Sequence, residues 1–223
     1  MLDRLEATTP TTTASNGQSI DTPERIANAK RYFKKLLDER VGGEFAIQPH
    51  HRQVISDVFF YACNRPHQTT LDTNKGLLLF GSVGTGKTTL LYAVRQFLLD
   101  TINSSFKVYN VANEVVTHYS KNGDIDKFIT DIDIATGKRT IINMAFDELG
   151  REPIPANHYG TKMNVMEQVI QARYSHFTTM GAKTHFTTNC TVEDLKTLYG
   201  GYIVDRLKEM CNWITFVGQS YRR

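Results

Sequence analysis

Long apolar stretches are missing from this 223-residue chain: none approaches the roughly 18 residues that a bilayer-crossing helix needs. The opening MLDRLEATTPTTTASNGQ also lacks the apolar core of a signal peptide, so membrane and secreted classes are set aside. Cysteine is scarce. Cys63, Cys190 and Cys211 are odd in number, far apart and without CxxC spacing, which argues against a disulfide framework or a cysteine zinc site and fits a reducing cytosol. Strong charge of either sign is absent too. The 26 Lys and Arg against 23 Asp and Glu leave +3, which permits a polyanionic partner without requiring one. Internal repeats are not found.

What is present is ordinary globular composition, 40% hydrophobic and 22% charged, in a length that predicts one domain with an appendage. Residues 1–20 are rich in Thr, Ser, Asn and Gly with few large apolar side chains, and read as a flexible tail. Residues 21–66 read as an N-terminal helical extension. Its first helix has Thr22 as cap, Pro23 at the first helical position and Gly42 as stop. Ile26, Ala29, Phe33, Leu36 and Leu37 form its apolar stripe, opposite a face of Arg25, Lys30, Arg31, Lys34, Lys35 and Arg40 that reads as solvated or as a docking surface. A second helix is expected over 51–64, closed by Pro66.

Residues 67–223 alternate short apolar runs with helical patterns. Strands are predicted at 76–80, 106–111, 140–146, 183–188 and 213–217, with helices near 87–100, 112–121, 162–178 and 192–199. That alternation predicts an α/β fold: a five-stranded parallel sheet sandwiched by helices.

The most specific local signal is GSVGTGKT between the strand GLLLF and the helical TLLYAVRQFLL. It matches G-x-x-x-x-G-K-[ST], a pattern expected by chance in only about one chain in a hundred of this length. The chemistry needs these residues. Gly81, Gly84 and Gly86 let the backbone curl so that the N–H groups of Ser82, Val83, Thr85 and their neighbours through Thr89 face phosphate oxygens, aided by the helix N-terminus. Lys87 supplies a point charge to β and γ phosphates, and the Thr88 hydroxyl is a Mg²⁺ ligand. The expected cofactors are therefore ATP and Mg²⁺.

Further on, IINMAFDELG places Asp147 and Glu148 at the end of an apolar strand, where Asp147 can hold the metal and Glu148 polarise an attacking water. In KTHFTTN, Asn189 stands at a strand's carboxyl end beside the phosphates, where an amide can orient that water; this strand is expected between the phosphate-loop and acidic strands. The pair His50 and His51 has no metal-ligand spacing and reads as capping or packing.

Taken in order, GSVGTGKTTL, FDELG, NHYG, VIQARYSHF, THFTTN and YGGYIVDRLKEM resemble the AAA+ ATPases of the DnaC and IstB type, bacterial helicase loaders and transposon-associated helper ATPases. The likeness covers roughly residues 45–217. It implies a P-loop core of ASCE, RecA-like architecture, with Asn189 as the sensor-1 residue and Arg206 of DRL as an arginine finger given to a neighbouring subunit. Arg173 of ARY is a second basic motif position, and 45–52 lies where related ATPases pack the adenine. Only 34 residues follow Asn189, so the helical lid is expected to be reduced or absent. Tyr202 stands where loaders carry an arginine, and no role is carried over to it.

The resemblance implies a cytoplasmic bacterial ATPase that forms nucleotide-dependent homo-oligomers, binds DNA, especially single strands, and loads or remodels a replicative helicase. A transposition helper acting with a transposase on a mobile element shares every motif. A small-molecule kinase would need an acceptor pocket and an arginine-bearing lid instead of the DE pair and distal arginine. A GTPase is disfavoured because no NKxD motif occurs: Asn74 and Lys75 are followed by Gly76 and Leu77. A non-hydrolysing nucleotide switch is opposed by Glu148.

Overall fold

The computed structural model describes residues 22–132, 139–216 and 218. The tail read over 1–20 and the last-strand end at Val217 lie outside the described residues. Helix α1 (Pro23–Val41) starts on Thr22, whose hydroxyl accepts the Arg25 N–H at 3.3 Å, and stops at Gly42 with φ +68°. A short 3₁₀ turn leads into α2 (Arg52–Ala62). Strand β1 (Gly76–Phe80) and α3 (Lys87–Ile102) follow, then β2 (Lys107–Asn110), a π-helical turn (Val111–Val116) and α4 (Thr117–Asn122). Beyond a small antiparallel pair, β3 (Asp131–Ile132) with β4 (Arg139–Thr140), comes β5 (Met144–Leu149). A hairpin of β6 (Ala156–His158) and β7 (Thr161–Met163) precedes α5 (Val165–Met180), and the order ends β8 (Thr184–Thr188), α6 (Val192–Tyr199), α7 (Gly201–Met210) and β9 (Cys211–Thr215).

The main sheet has the order β2-β5-β8-β1-β9, all parallel, with β8 between β5 and β1 as expected. Strand side chains alternate between faces, so Leu77 and Leu79 enter one core layer and Leu78 the other. The first layer is filled by Phe33, Leu37, Ile55, Val58 and Phe59 of α1 and α2 with Leu90, Val94 and Phe97 of α3. The second holds Phe146 and Phe186 against Val169 and Ile170 of α5, Leu195 of α6 and Val204 and Leu207 of α7. Each fully buried leucine contributes roughly 1.5–3 kcal/mol, and Leu78→Ala, at the sheet centre, costs about 2–5 kcal/mol. Thus α1 and α2 form part of the layer that covers one face of the sheet. Gly76 is required by packing: a Cβ there would lie 1.8 Å from the Thr184 carbonyl oxygen.

Several boundaries differ from expectation for identifiable reasons. The strand expected at 140–146 starts at Met144. Residues 142 and 143 are held by side chains instead, with the Ile142 carbonyl accepting from Arg173 and the Asn143 amide oxygen accepting the Lys183 N–H. Helix α7 was not expected, yet Ile203, Val204, Leu207 and Met210 bury one helical stripe. The second helix begins after His51, whose ring stacks on Phe216 at 4.0 Å between centroids. On α1, Lys34 and Lys35 pair with Asp38 and Glu39 one turn on, and Arg40 lies over the Tyr92 ring of α3, so these three charges of the basic face have partners. Among the described residues, no helix is long and apolar enough to cross a membrane.

Candidate nucleotide site

The loop between β1 and α3 turns on Gly81, Gly84 and Gly86, with φ of +149°, +83° and +96°. At Gly86 the left-handed backbone coincides with crowding, since a Cβ would meet the Phe45 ring at 2.8 Å. Thr85 is buried, its hydroxyl donating to the Ser82 carbonyl at 3.0 Å. The Lys87 ammonium is inside the curl, donating to the carbonyls of Gly81 and Ser82 at 2.7 Å each. Beside the loop opens a cleft of about 620 Å³, lined by Val83, Gly84, Gly86, Lys87, Thr88 and Thr89. Glu148, Thr187 and Asn189 reach it from the sheet, and Val41, Glu44, Phe45 and Ala46 wall it from the segment joining α1 and α2. An apolar wall facing a ring of backbone N–H groups and an ammonium is a shape that accepts a base at one end and a polyphosphate at the other.

Sheet register sets the acidic pair. Between Phe146↔Phe186 and Leu149↔Thr188, β5 spends three residues where β8 spends two, a β-bulge. Glu148 lies in that bulge with φ +65°, a conformation non-glycine residues rarely adopt. The displacement lets Asp147 face the phosphate loop while Glu148 lines the cleft. Asp147 Oδ1 accepts from the Thr88 hydroxyl at 2.9 Å and from the Thr187 hydroxyl at 2.5 Å. Glu148 is held on both carboxylate oxygens, by Arg151 at 2.6 Å and by the Asn110 amide at 3.1 Å. Thr88 and Asp147 thus offer a hydroxyl and a carboxylate beside the phosphate loop, a hard-oxygen pair that fits Mg²⁺.

Of the residues singled out from sequence, the phosphate loop, Asp147, Glu148 and Asn189 converge here. Arg206 does not line this cleft. Its guanidinium lies over the Tyr202 ring at 3.4 Å and the Tyr174 ring at 4.7 Å, with Nε and Nη1 buried and without a hydrogen-bond partner among the described residues. Arg173 is fully buried and braces the structure. It donates to the Thr184 hydroxyl at 3.0 Å and to the carbonyls of Ile129, Ile142 and Lys183 at 2.9, 2.8 and 3.2 Å, while burial lowers its pKa to about 10. Asn110 and Thr187 were missed from sequence. The one available signal was position: Asn110 ends β2 directly opposite Asp147, and Thr187 lies two residues before Asn189.

No protein-family model matches the chain, and no curated protein matches its sequence. Solved structures do. The DnaC helicase loader superposes with a TM-score of 0.54 and 18% identity, covering 84% of this chain and 99% of that one. DnaI superposes with a TM-score of 0.56 and 19% identity, covering 85% and 93%. The fold is therefore the AAA+ P-loop fold. The likeness spans nearly the whole solved length of both structures.

Proposed function

We propose that the chain is an ATPase, converting ATP and water to ADP and phosphate, that works on DNA in replication by loading or remodelling a helicase. The observation that carries this is the convergence of Lys87, Thr88, Glu148 and Asn189 on one cleft. In this reading the loop N–H groups and Lys87 bind the β and γ phosphates, and the segment from Val41 to Ala46 packs the base. Thr88 and Asp147 hold Mg²⁺, which when bound neutralises phosphate charge. Glu148 takes the proton from the attacking water, and Asn189 orients that water. Arg206 acts on a neighbouring copy, so the active unit is an oligomer. Residues 67–223 then form the ATPase core, with 21–66 as an extension that also closes the base end of the cleft.

Single-stranded DNA is supported by the β6-β7 hairpin, whose tip carries Tyr159, 94% exposed, with the exposed Lys162 three residues on. An aromatic face beside a cation is how sequence-tolerant stacking on bases is built. The proposed setting is the bacterial cytoplasm, where a replicative helicase is the partner. The test is Lys87→Ala, read by equilibrium binding of a fluorescent ATP analogue and by ATP turnover with and without an oligonucleotide. Removing the ammonium leaves phosphate charge uncompensated, so binding or turnover is lost while the fold persists. Wild-type turnover in this variant would overturn the reading.

A further inference from the structure

The buried hydroxyl of Thr187 links the Glu148 backbone to the Asp147 carboxylate. It accepts the Glu148 N–H at 2.9 Å and donates to Asp147 Oδ1 at 2.5 Å, the same oxygen that accepts from Thr88. One continuous path therefore runs from the Glu148 backbone through Thr187 to Asp147 and on to the first turn of α3. The bulge explains why a side chain is needed. Where β5 carries its extra residue, the backbone ladder to β8 lapses, and the Glu148 N–H finds its acceptor in a β8 side chain. Thr188 acts alongside, donating to the Leu149 carbonyl at 2.7 Å. The two threonines thus pin the bulge on either side of Glu148.

We infer that Thr187 is a positioning residue for hydrolysis: its hydroxyl holds Glu148 in the left-handed conformation that faces the cleft and fixes Asp147 toward Thr88. This rests on the reading of Glu148 as general base and Asp147 as metal-holding residue. A threonine serving only strand packing would tolerate an isosteric apolar replacement without effect on either function. A positioning threonine would not.

The test compares Thr187→Val with Thr187→Ser, measuring thermal melting, kcat and KM for ATP, and the Mg²⁺ concentration that half-saturates binding of fluorescent mant-ADP. Valine keeps the shape and removes the hydroxyl. It should lower kcat at least tenfold with KM changed less than threefold, and raise half-saturating Mg²⁺ severalfold. Serine should restore both to within about twofold of wild type. If valine does not fold, Thr187→Ala removes the same hydroxyl and carries the same expectations. A folded valine or alanine variant with wild-type kcat and Mg²⁺ response overturns the inference, as does a serine variant no better than valine. If the wild type binds mant-ADP without turning over ATP, the ATPase reading fails alone, and the Mg²⁺ response still decides Thr187.

Discussion

Glu148 and Arg151 form a 2.6 Å ion pair at the mouth of the cleft, three residues apart on the turn that follows the β5 bulge. The Arg151 side chain is half exposed, so water and salt weaken the pair, and its contribution to stability is small. In the proposed mechanism the pair matters more, because a carboxylate oxygen engaged by a guanidinium is not free to accept from the attacking water. Glu148→Gln should keep nucleotide bound and slow turnover by roughly 10² to 10⁴. Arg151→Ala should leave binding intact and change turnover less than about tenfold, upward if the pair restrains Glu148. Single-turnover hydrolysis of the two variants beside equilibrium binding checks both. A glutamine variant hydrolysing at the wild-type rate would remove Glu148 from the chemistry.

Arg173 yields a prediction of the opposite kind. Its guanidinium satisfies three backbone carbonyls and the Thr184 hydroxyl where no water competes, binding α5 to the segment before β5 and to β8. Truncation leaves buried acceptors unpaired and a cavity, so Arg173→Ala should cost about 3–5 kcal/mol. Lysine cannot span the same fan of acceptors and should recover only part of the loss. Denaturant unfolding measures the effect. Nucleotide affinity of the folded fraction should stay unchanged, and a selective loss of affinity without loss of stability would show that Arg173 serves the site.

The contrast between these arginines shows what was readable before the fold was known. The phosphate loop, the strand GLLLF and the place of β8 in the sheet were legible because each rests on contiguous residues or on a rule of connectivity. That Arg173 would be a buried brace was not legible, since its burial is decided by partners such as Ile129 and Ile142, more than thirty residues away. Asp147 and Glu148 could be read as a pair, whereas the bulge that turns them apart arises from β5-β8 register and has no local signature. Helix α7 was not among the expected helices, which ended with the one near 192–199. Gly200, at φ +84°, precedes its first turn.

His185 makes stability depend on pH. It is fully buried in β8, its Nδ1 accepts the Leu77 N–H at 3.2 Å, and burial, then the nearby Lys183 and Arg173 charges, lower its pKa from 6.5 to about 3. The unfolded chain therefore binds a proton that the folded chain refuses between pH 6.5 and about 3. This contribution is fully present above pH 6.5 and falls away as pH drops through that window, by a few kcal/mol in all. His185→Asn keeps an acceptor near Nδ1 without titrating. Its unfolding free energy should vary less between pH 7 and 4.5 than that of wild type, and parallel curves would show that His185 does not govern the acid limb.

The last prediction concerns Arg206, whose Nε and Nη1 are buried between Tyr174 and Tyr202 without an acceptor among the described residues. Orphaned guanidinium donors are unusual, and a side chain that leaves the two rings could meet an acceptor on another molecule. Because Arg206 does not line its own cleft, the acceptor consistent with the proposed function is the γ phosphate held by a neighbouring copy. A site built from two chains makes turnover per chain rise with protein concentration, and an arginine there contributes on the order of 10³-fold by analogy with other arginine fingers. Arg206→Ala should then bind nucleotide normally and turn over slowly. Lys87→Ala cannot bind but can still donate its arginine, so mixing the two variants pairs an intact phosphate loop with an intact finger and should restore part of the activity. Single-stranded DNA should raise the rate by lining protomers along one strand, and added salt should weaken that stimulation as counterions compete for the phosphates. The measurement is ATP turnover against total protein for each variant and the mixture, with and without an oligonucleotide. A rate per chain independent of concentration, with a mixture no better than its parts, would place any role of Arg206 within its own chain.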